Sequence, residues 1–203
     1  MTISNSATVK NAKLDQEETT IGTSPQLRAL NGTMPATADT ALAGNTVLAQ
    51  GALPSDWMAN AAAGVKSKTG TWTLTGQAAA GAGTAATFFR LYDTAGTTCH
   101  KQGTLGVAVP LATNALTAAN SNVLNFAATT GVAVGQTISG TGIPVNSTVL
   151  AFTGTTVTMN NASTAGVASA ASITFGYDMT IDNNSIAVNQ SINVITFSIT
   201  SGN

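Results

Sequence analysis

Residues 123–175 read VLNFAATTGVAVGQTISGTGIPVNSTVLAFTGTTVTMNNASTAGVASAASITF, within a longer run from Gln102 to Tyr177 that contains no Lys, Arg, Asp or Glu. Hydroxyls and amides must keep such a segment soluble. β-Branched Thr and Val favour pleated, half-buried surface, and the turns SGTGIPVN and TGTT are built on Gly, Pro and Asn, as tight β connections require. Short strands are expected at Val123 to Phe126, Gln136 to Ser139, Ser147 to Phe152, Thr155 to Met159 and Ala171 to Phe175. Their spacing suits a compact β module of about 70 residues. Ala171, Ile173, Phe175, Tyr177, Met179 and Ile181 continue one alternation out of the tract, which predicts a continuous strand leading back into a parent domain. Charged groups carry most proton transfer, ion binding and transition-state stabilisation in enzymes, so this third of the chain is poorly equipped for catalysis.

Outside the tract, strand signals recur. Thr71 to Thr75 alternates with period 2, with Trp72 and Leu74 pointing inward. In ATFFRLYDTAGTTCHKQGT, the runs Ala86 to Asp93 and Thr97 to Gly103 flank the turn Thr94-Ala95-Gly96 and read as an antiparallel hairpin. Phe89 and Leu91 share one face of it; Phe88, Arg90 and Tyr92 share the other. Aromatic surface on both faces needs cover on both, and a partner is one way to supply it. Leu27 to Leu30 and Thr46 to Leu53 are further strands, separated by TMPATADTALAGN, which is too polar and irregular for anything but a surface loop. Pro54 to Met58 is a capped turn or short helix with Trp57 folding inward. Ile192 to Thr200 alternates but changes parity at Val194/Ile195, where a β-bulge restores a single apolar face.

Residues 4–20 are the one good helix candidate, with Ser4 or Ser6 as cap and Gly22 as terminator. Lys10, Lys13, Asp15, Glu17 and Glu18 form its polar side. Ala7, Leu14 and Ile21 recur every seven residues, with Ile3 and Val9 less regular, a narrow stripe that packs either on the chain's own sheet or on a neighbouring subunit. The architecture expected is mainly β: a helical arm at 1–23, an antiparallel β-sandwich from 24–105 plus 176–203, and an inserted module at 106–175.

The whole chain has 203 residues and is 7% charged, against roughly 25% in ordinary soluble domains. Its hydrophobic fraction of 43% is near normal, so it can bury a core. A net charge of -1 with no Lys/Arg cluster leaves no electrostatic footprint for a phosphate backbone, so nucleic acid is not an expected partner. The start, MTISNSATVKNAK, lacks an apolar signal region, and no stretch nears the ~18 apolar residues that span a bilayer. Cytoplasmic synthesis without export, and no membrane partner, are expected.

Candidate chemistry is sparse. Cys99-His100 pairs a thiol with an imidazole, but adjacent strand residues point to opposite faces and cannot meet. One Cys and one His cannot complete a zinc site, and a single Cys cannot form an internal disulfide. Asp178, Asp182, Asn183 and Asn184 offer oxygen ligands without EF-hand spacing, and a turn at Asp182 to Ser185 is the better reading. GQAAAGAG and SGTGIP follow no phosphate-binding pattern. No catalytic, cofactor-binding or metal-ligating residue is therefore expected.

Several segments carry a resemblance. TISNSATVKNAKLDQEETTIGTS, LPSDWMANAAAG with KTGTWTLTG, the hairpin ATFFRLYDTAGTTCHKQGT and the ending DMTIDNNSIAVNQSINVITFSITSGN resemble small virion proteins of tailed bacteriophages, over roughly residues 2–105 and 176–203. VGQTISGTGIPVNSTVLAFTGTTVTMNNAST is similar to an Ig-like or other small β module that recurs in phage surface proteins. The resemblance implies a structural virion protein on the outer surface of the head, a decoration or cement protein. Its partners would be the major capsid protein and copies of itself. A neck, tail or fibre component and a glycan- or receptor-binding module are the alternatives. Interfaces are enriched in aromatic residues and Arg, so the expected docking face lies on the parent domain, at Leu14, Trp57, Phe88, Arg90 and Tyr92.

Overall fold

The helix starts at one of the two serines that suit a cap. In the computed structural model, which describes residues 4–201, the Ser6 hydroxyl accepts from the Val9 amide at 3.3 Å and α1 runs Ala7–Ile21. Gly22 ends it at φ 91°, a left-handed conformation that glycine adopts without a Cβ clash. Leu14 and Ile21 are buried in the core of the helix's own unit, while Ala7 and Val9 are exposed. Ile3 lies outside the described residues. The stripe is thus two residues deep, and the helix needs other attachments.

Strands follow in chain order. They are β1 (Gln26–Leu30), β2 (Val47–Ala52), β3 (Val65–Ser67), β4 (Thr73–Gly76), β5 (Thr84–Ala85), β6 (Phe88–Tyr92) and β7 (Cys99–Gly106). Next come β8 (Val109–Ala112), β9 (Val123–Asn125), β10 (Thr137–Ser139), β11 (Ser147–Phe152), β12 (Thr156–Met159) and β13 (Ser172–Gly176). The last are β14 (Met179–Ile181), β15 (Ser185–Ile186) and β16 (Ser191–Thr200). The chain divides into two units: one runs up to Gly106 and resumes at Met179, the other is Val107–Asp178.

In the first unit the strands are ordered β14-β7-β6-β1-β2-β4-β16, and β14 also pairs with β16, so the sheet closes on itself as a barrel. A sandwich was expected here. Alternation demands one buried face, which a closed sheet and a stacked pair of sheets satisfy equally. Closure is the work of β16, which pairs with β4 through Ser191–Asn193, with β14 between Val194 and Phe197, and with β3 through Ser198–Thr200. Its register against β14 steps from Thr180↔Thr196 to Ile181↔Val194, leaving Ile195 as the bulged residue, 56% exposed. The parity change in the sequence falls at this bulge. Ile192, Val194, Phe197 and Ile199 consequently all enter the core.

That core is aromatic at its centre. Trp57 and Trp72 have ring centroids 5.8 Å apart, Trp72 and Phe197 5.5 Å, and Phe89 and Phe197 5.6 Å. The indole nitrogens are not stranded by burial: Trp57 Nε1 donates to the Gly22 carbonyl at 3.1 Å and Trp72 Nε1 to the Thr69 carbonyl at 3.0 Å. The Trp57 bond also ties the end of α1 to the core.

The second unit is a half-barrel of six strands, ordered β8-β13-β10-β11-β12-β9, and not clearly an Ig-like sandwich. An isolated Thr113↔Phe126 bridge links the ends of its two edge strands. Its core gathers Leu124, Phe126, Ile138, Val157, Ile173 and Phe175, with Phe126 and Phe175 packed edge to face at 5.5 Å. β8 has the sequence VPLA and was not expected as a strand; it pairs only with β13, and an edge position tolerates Pro110. The strand expected to run unbroken from Ala171 to Ile181 is interrupted at Tyr177-Asp178. Buried hydroxyls and amides are satisfied by backbone: Thr113 Oγ1 donates to the Ala168 carbonyl at 2.6 Å, Ser163 Oγ to Ala118 at 3.0 Å, and Gln136 Oε1 accepts from the Ala133 amide at 2.8 Å. Neutral groups suffice because each has its partner.

β7 and β14 are parallel and overlap by two residue pairs, Met179↔Leu105 and Thr180↔Gly106. Parallel neighbours ordinarily require a long crossover, and Val107–Asp178 occupies that place. The short overlap sets the two ends one strand spacing apart, about 4.8 Å. Replacing residues 107–178 by a short Gly-containing turn is therefore expected to leave the barrel folded, with a single cooperative thermal transition. A broad, non-cooperative melt of the deletion variant would show that the tract holds the barrel together.

Candidate interaction site

The five residues expected at a docking face are all buried within the first unit. Leu14 is 2% exposed, Trp57 0%, Phe88 1%, Arg90 3% and Tyr92 5%. Leu14 and Trp57 belong to the core around the aromatic cluster, and Phe88, Arg90 and Tyr92 lie on the other face of β6. The expectation that both faces of this strand need cover holds, but the chain covers them itself. For that reason none of the five is available at the surface.

The cover over Arg90 is the turn-rich loop between β1 and β2. Arg90 Nη2 donates to the carbonyls of Thr37 at 3.3 Å, Ala38 at 2.6 Å and Thr40 at 2.7 Å, and its Nε donates to Gln102 Oε1 at 3.1 Å. Gln102 Nε2 in turn donates to the Pro35 carbonyl at 2.6 Å. The base of the loop is stitched by Asn45 Nδ2, which reaches the carbonyls of Asn31 and Thr33, and by Asn31 Oδ1, which accepts from the Thr46 amide. Arg90 is thus a buried cation solvated by backbone carbonyls, and the loop is strapped down despite having no regular structure.

A second buried cation fastens the helix. Lys66 in β3 is 2% exposed, and its Nζ lies 2.6 Å from Asp15 Oδ1 and 2.9 Å from Glu18 Oε2. Burial pulls the Lys66 pKa down, but the bonds from Asp15 and Glu18 outweigh it, and the net shift is upward. The Lys66 bond holds the Asp15 carboxyl below its ordinary value. The same helix face accepts three backbone amides: Met58 to Glu18, Ala61 to Asp15 and Gly64 to Asn11. Glu17 also pairs with Lys101 of β7. The polar side of α1 therefore faces protein as well as water. Lys66 escaped the sequence reading; the i, i+3 spacing of Asp15 and Glu18, which sets two carboxylates on one helix face, was the available clue.

Beside the Arg90 strap lies a pocket of about 480 Å³ between residues 38–42 and the 96–99 turn. Arg28, Asp39, Arg90, Tyr92 and Cys99 are among its lining. Arg28 sits over the Tyr92 ring at 4.3 Å and donates through Nη2 to the Gly96 carbonyl at 3.0 Å. Asp93 shapes the turn by accepting from the Thr97 amide at 2.8 Å and the Thr97 hydroxyl at 3.0 Å, and the amide bond is the chief cause of its lowered pKa. Cys99 is half-buried, which raises its thiol pKa. No local pattern in the sequence marks this pocket, because its walls come from strands and turns far apart in the chain.

Asp182 accepts from the backbone and side-chain amides of Asn193, both at 3.0 Å, and Asn183 Oδ1 accepts from the Ser185 amide, so this segment is a turn. Among the described residues no cluster of three His, Cys, Asp or Glu side chains is placed to hold a metal. No described helix is long and apolar enough to cross a membrane. Comparison with protein-family models, with curated proteins and with solved structures found no match to this chain.

Removing the strap has a measurable consequence. Arg90→Ala leaves three carbonyls without their donor and is expected to lower stability by about 2–4 kcal/mol in denaturant melts. An unchanged melt would mean the loop stays in place without the guanidinium.

The Lys66 pairing sets opposite pH limits. Asp15, held low, contributes stability above the ordinary carboxylate range that is lost as pH falls through its folded pKa; Lys66, held high, contributes stability below the ordinary lysine range that is lost as pH rises through its own. Thermal melts of Asp15→Asn should show a flatter acid limb, and those of Lys66→Met a flatter alkaline limb. Asp15→Asn/Glu18→Gln should cost more than Lys66→Met, because it strands a buried ammonium whereas freed carboxylates can turn to water.

Proposed function

We propose that this chain is a structural protein of a tailed-bacteriophage virion, a decoration or cement protein that binds the assembled head and stabilises it. One observation carries the reading: the segments that resemble virion proteins meet in a single core. Leu14 comes from the opening segment, Trp57 from LPSDWMANAAAG, Trp72 from KTGTWTLTG, Phe89 from the hairpin and Phe197 from the ending, and all belong to one cluster. On this reading Val107–Asp178 is an inserted surface module of the Ig-like kind the resemblance implies.

A cement protein works by linkage. It occupies the assembled shell and not the free subunits, and each filled site then stabilises the shell by about 2.7 kcal/mol at 100 times Kd. Broad neutral contacts serve this purpose without an active site. The docking face is assigned to residues that are exposed, since the aromatic residues and Arg90 favoured by composition are taken up internally. Partners are the major capsid protein and further copies of the chain.

Quantitative mass spectrometry of purified virions tests the proposal. The expected copy number is comparable with that of the major capsid protein. A single ring's worth of copies per particle would replace decoration by a neck or tail role, and absence from the virion would end the structural reading.

A further inference from the structure

The pocket beside the Arg90 strap has the size and charge of a ligand site. Its volume of about 480 Å³ falls in the range of small-molecule pockets, roughly 300–1,000 Å³. Two guanidinium groups, Arg28 and Arg90, and one carboxylate, Asp39, line it, leaving one net positive charge. Arg90 is committed to the loop carbonyls and to Gln102. Arg28 is differently placed: the Tyr92 ring and a single bond to the Gly96 carbonyl hold its plane. A guanidinium fixed in this way keeps further N–H donors in a fork that matches a carboxylate, and its orientation is settled before a ligand arrives.

We propose that this pocket binds a carboxylate, with Arg28 as the anchoring residue. The charge balance selects a monoanion, and the planar fork of Arg28 matches a carboxylate. A monoanion neutralises the pocket, whereas a phosphate dianion would leave net negative charge beside Asp39. Tyr92 does not serve as a platform for a sugar ring, because it is 5% exposed with Arg28 over the ring at 4.3 Å. The carboxylate comes either from a Glu or Asp side chain of another protein or from a free acid; the recognition chemistry is shared. This inference stands independently of the virion reading.

Cys99 lines the pocket and is the chain's one cysteine, so its alkylation reports on occupancy at this place alone. The full chain is treated with iodoacetamide in the presence of N-acetylglutamate amide, benzoate or the neutral N-acetylglutamine amide. Both acids, or one of them, should slow alkylation several-fold while the neutral amide does not. Protection by the glutamate derivative alone identifies a protein side chain as the source, and protection by benzoate alone a small acid. Arg28→Gln should raise the acid concentration that gives half-maximal protection at least about tenfold, the loss expected for one charge-assisted contact. Asp39→Asn, which removes the opposing charge from an exposed side chain, should strengthen it. Should Arg28→Gln fail to fold, the comparison of acid with amide and the Asp39→Asn variant still decide. No protection by either acid, equal protection by the neutral amide, or no gain in Asp39→Asn would overturn the assignment.

Discussion

A single strand has to satisfy three neighbours, and the barrel depends on how it does so. β16 pairs with β4, β14 and β3 in succession while keeping one face apolar throughout. A regular strand of this sequence would turn Ile192 and Val194 inward but Phe197 and Ile199 outward, since they differ in parity. The extra residue at Ile195 resets the alternation and adds local bend and twist, which a closing sheet requires. Phe197 can then stand between Trp72 and Phe89, and the aromatic centre of the core is assembled from segments at both ends of the chain.

The elements outside the barrel wall are fastened by polar contacts more than by apolar area. α1 buries only Leu14 and Ile21, so Lys66, held between Asp15 and Glu18, supplies the attachment that the narrow stripe lacks. The loop between β1 and β2 has no buried large apolar side chain, and Arg90 and Gln102 hold it by its carbonyls. Both arrangements depend on complete pairing, because a buried cation deprived of its acceptors is strongly destabilising. In a chain with so few charges, Lys66 and Arg90 are spent on architecture.

The second unit reaches the same end without ions. Between Val107 and Asp178 its buried polar side chains are hydroxyls and one amide, each bonded to backbone within the unit. Such groups carry a smaller desolvation cost than charges and need only one or two partners. Several large apolar side chains, among them Leu116, Val134, Val145 and Leu150, remain exposed on it.

What the sequence determined by itself was local. The Ser6 cap and Gly22 stop, the hairpin around Thr94-Ala95-Gly96, the inward Trp72 and Leu74, the bulge at Val194/Ile195 and five of the six strands of the second unit follow from capping, turn chemistry and period-2 alternation. These depend on residues within a few positions of each other. The tertiary structure alone decided between barrel and sandwich, because closure rests on the pairing of β14 with β16 and of β7 with β14, and alternation is blind to which strands become neighbours. It also decided the fate of Phe88, Arg90 and Tyr92: an aromatic and cationic strand face looks the same in sequence whether a partner or the chain's own loop covers it. Lys66 and the pocket at Arg28 were equally illegible, since burial of one and the walls of the other are set by contacts between residues dozens of positions apart.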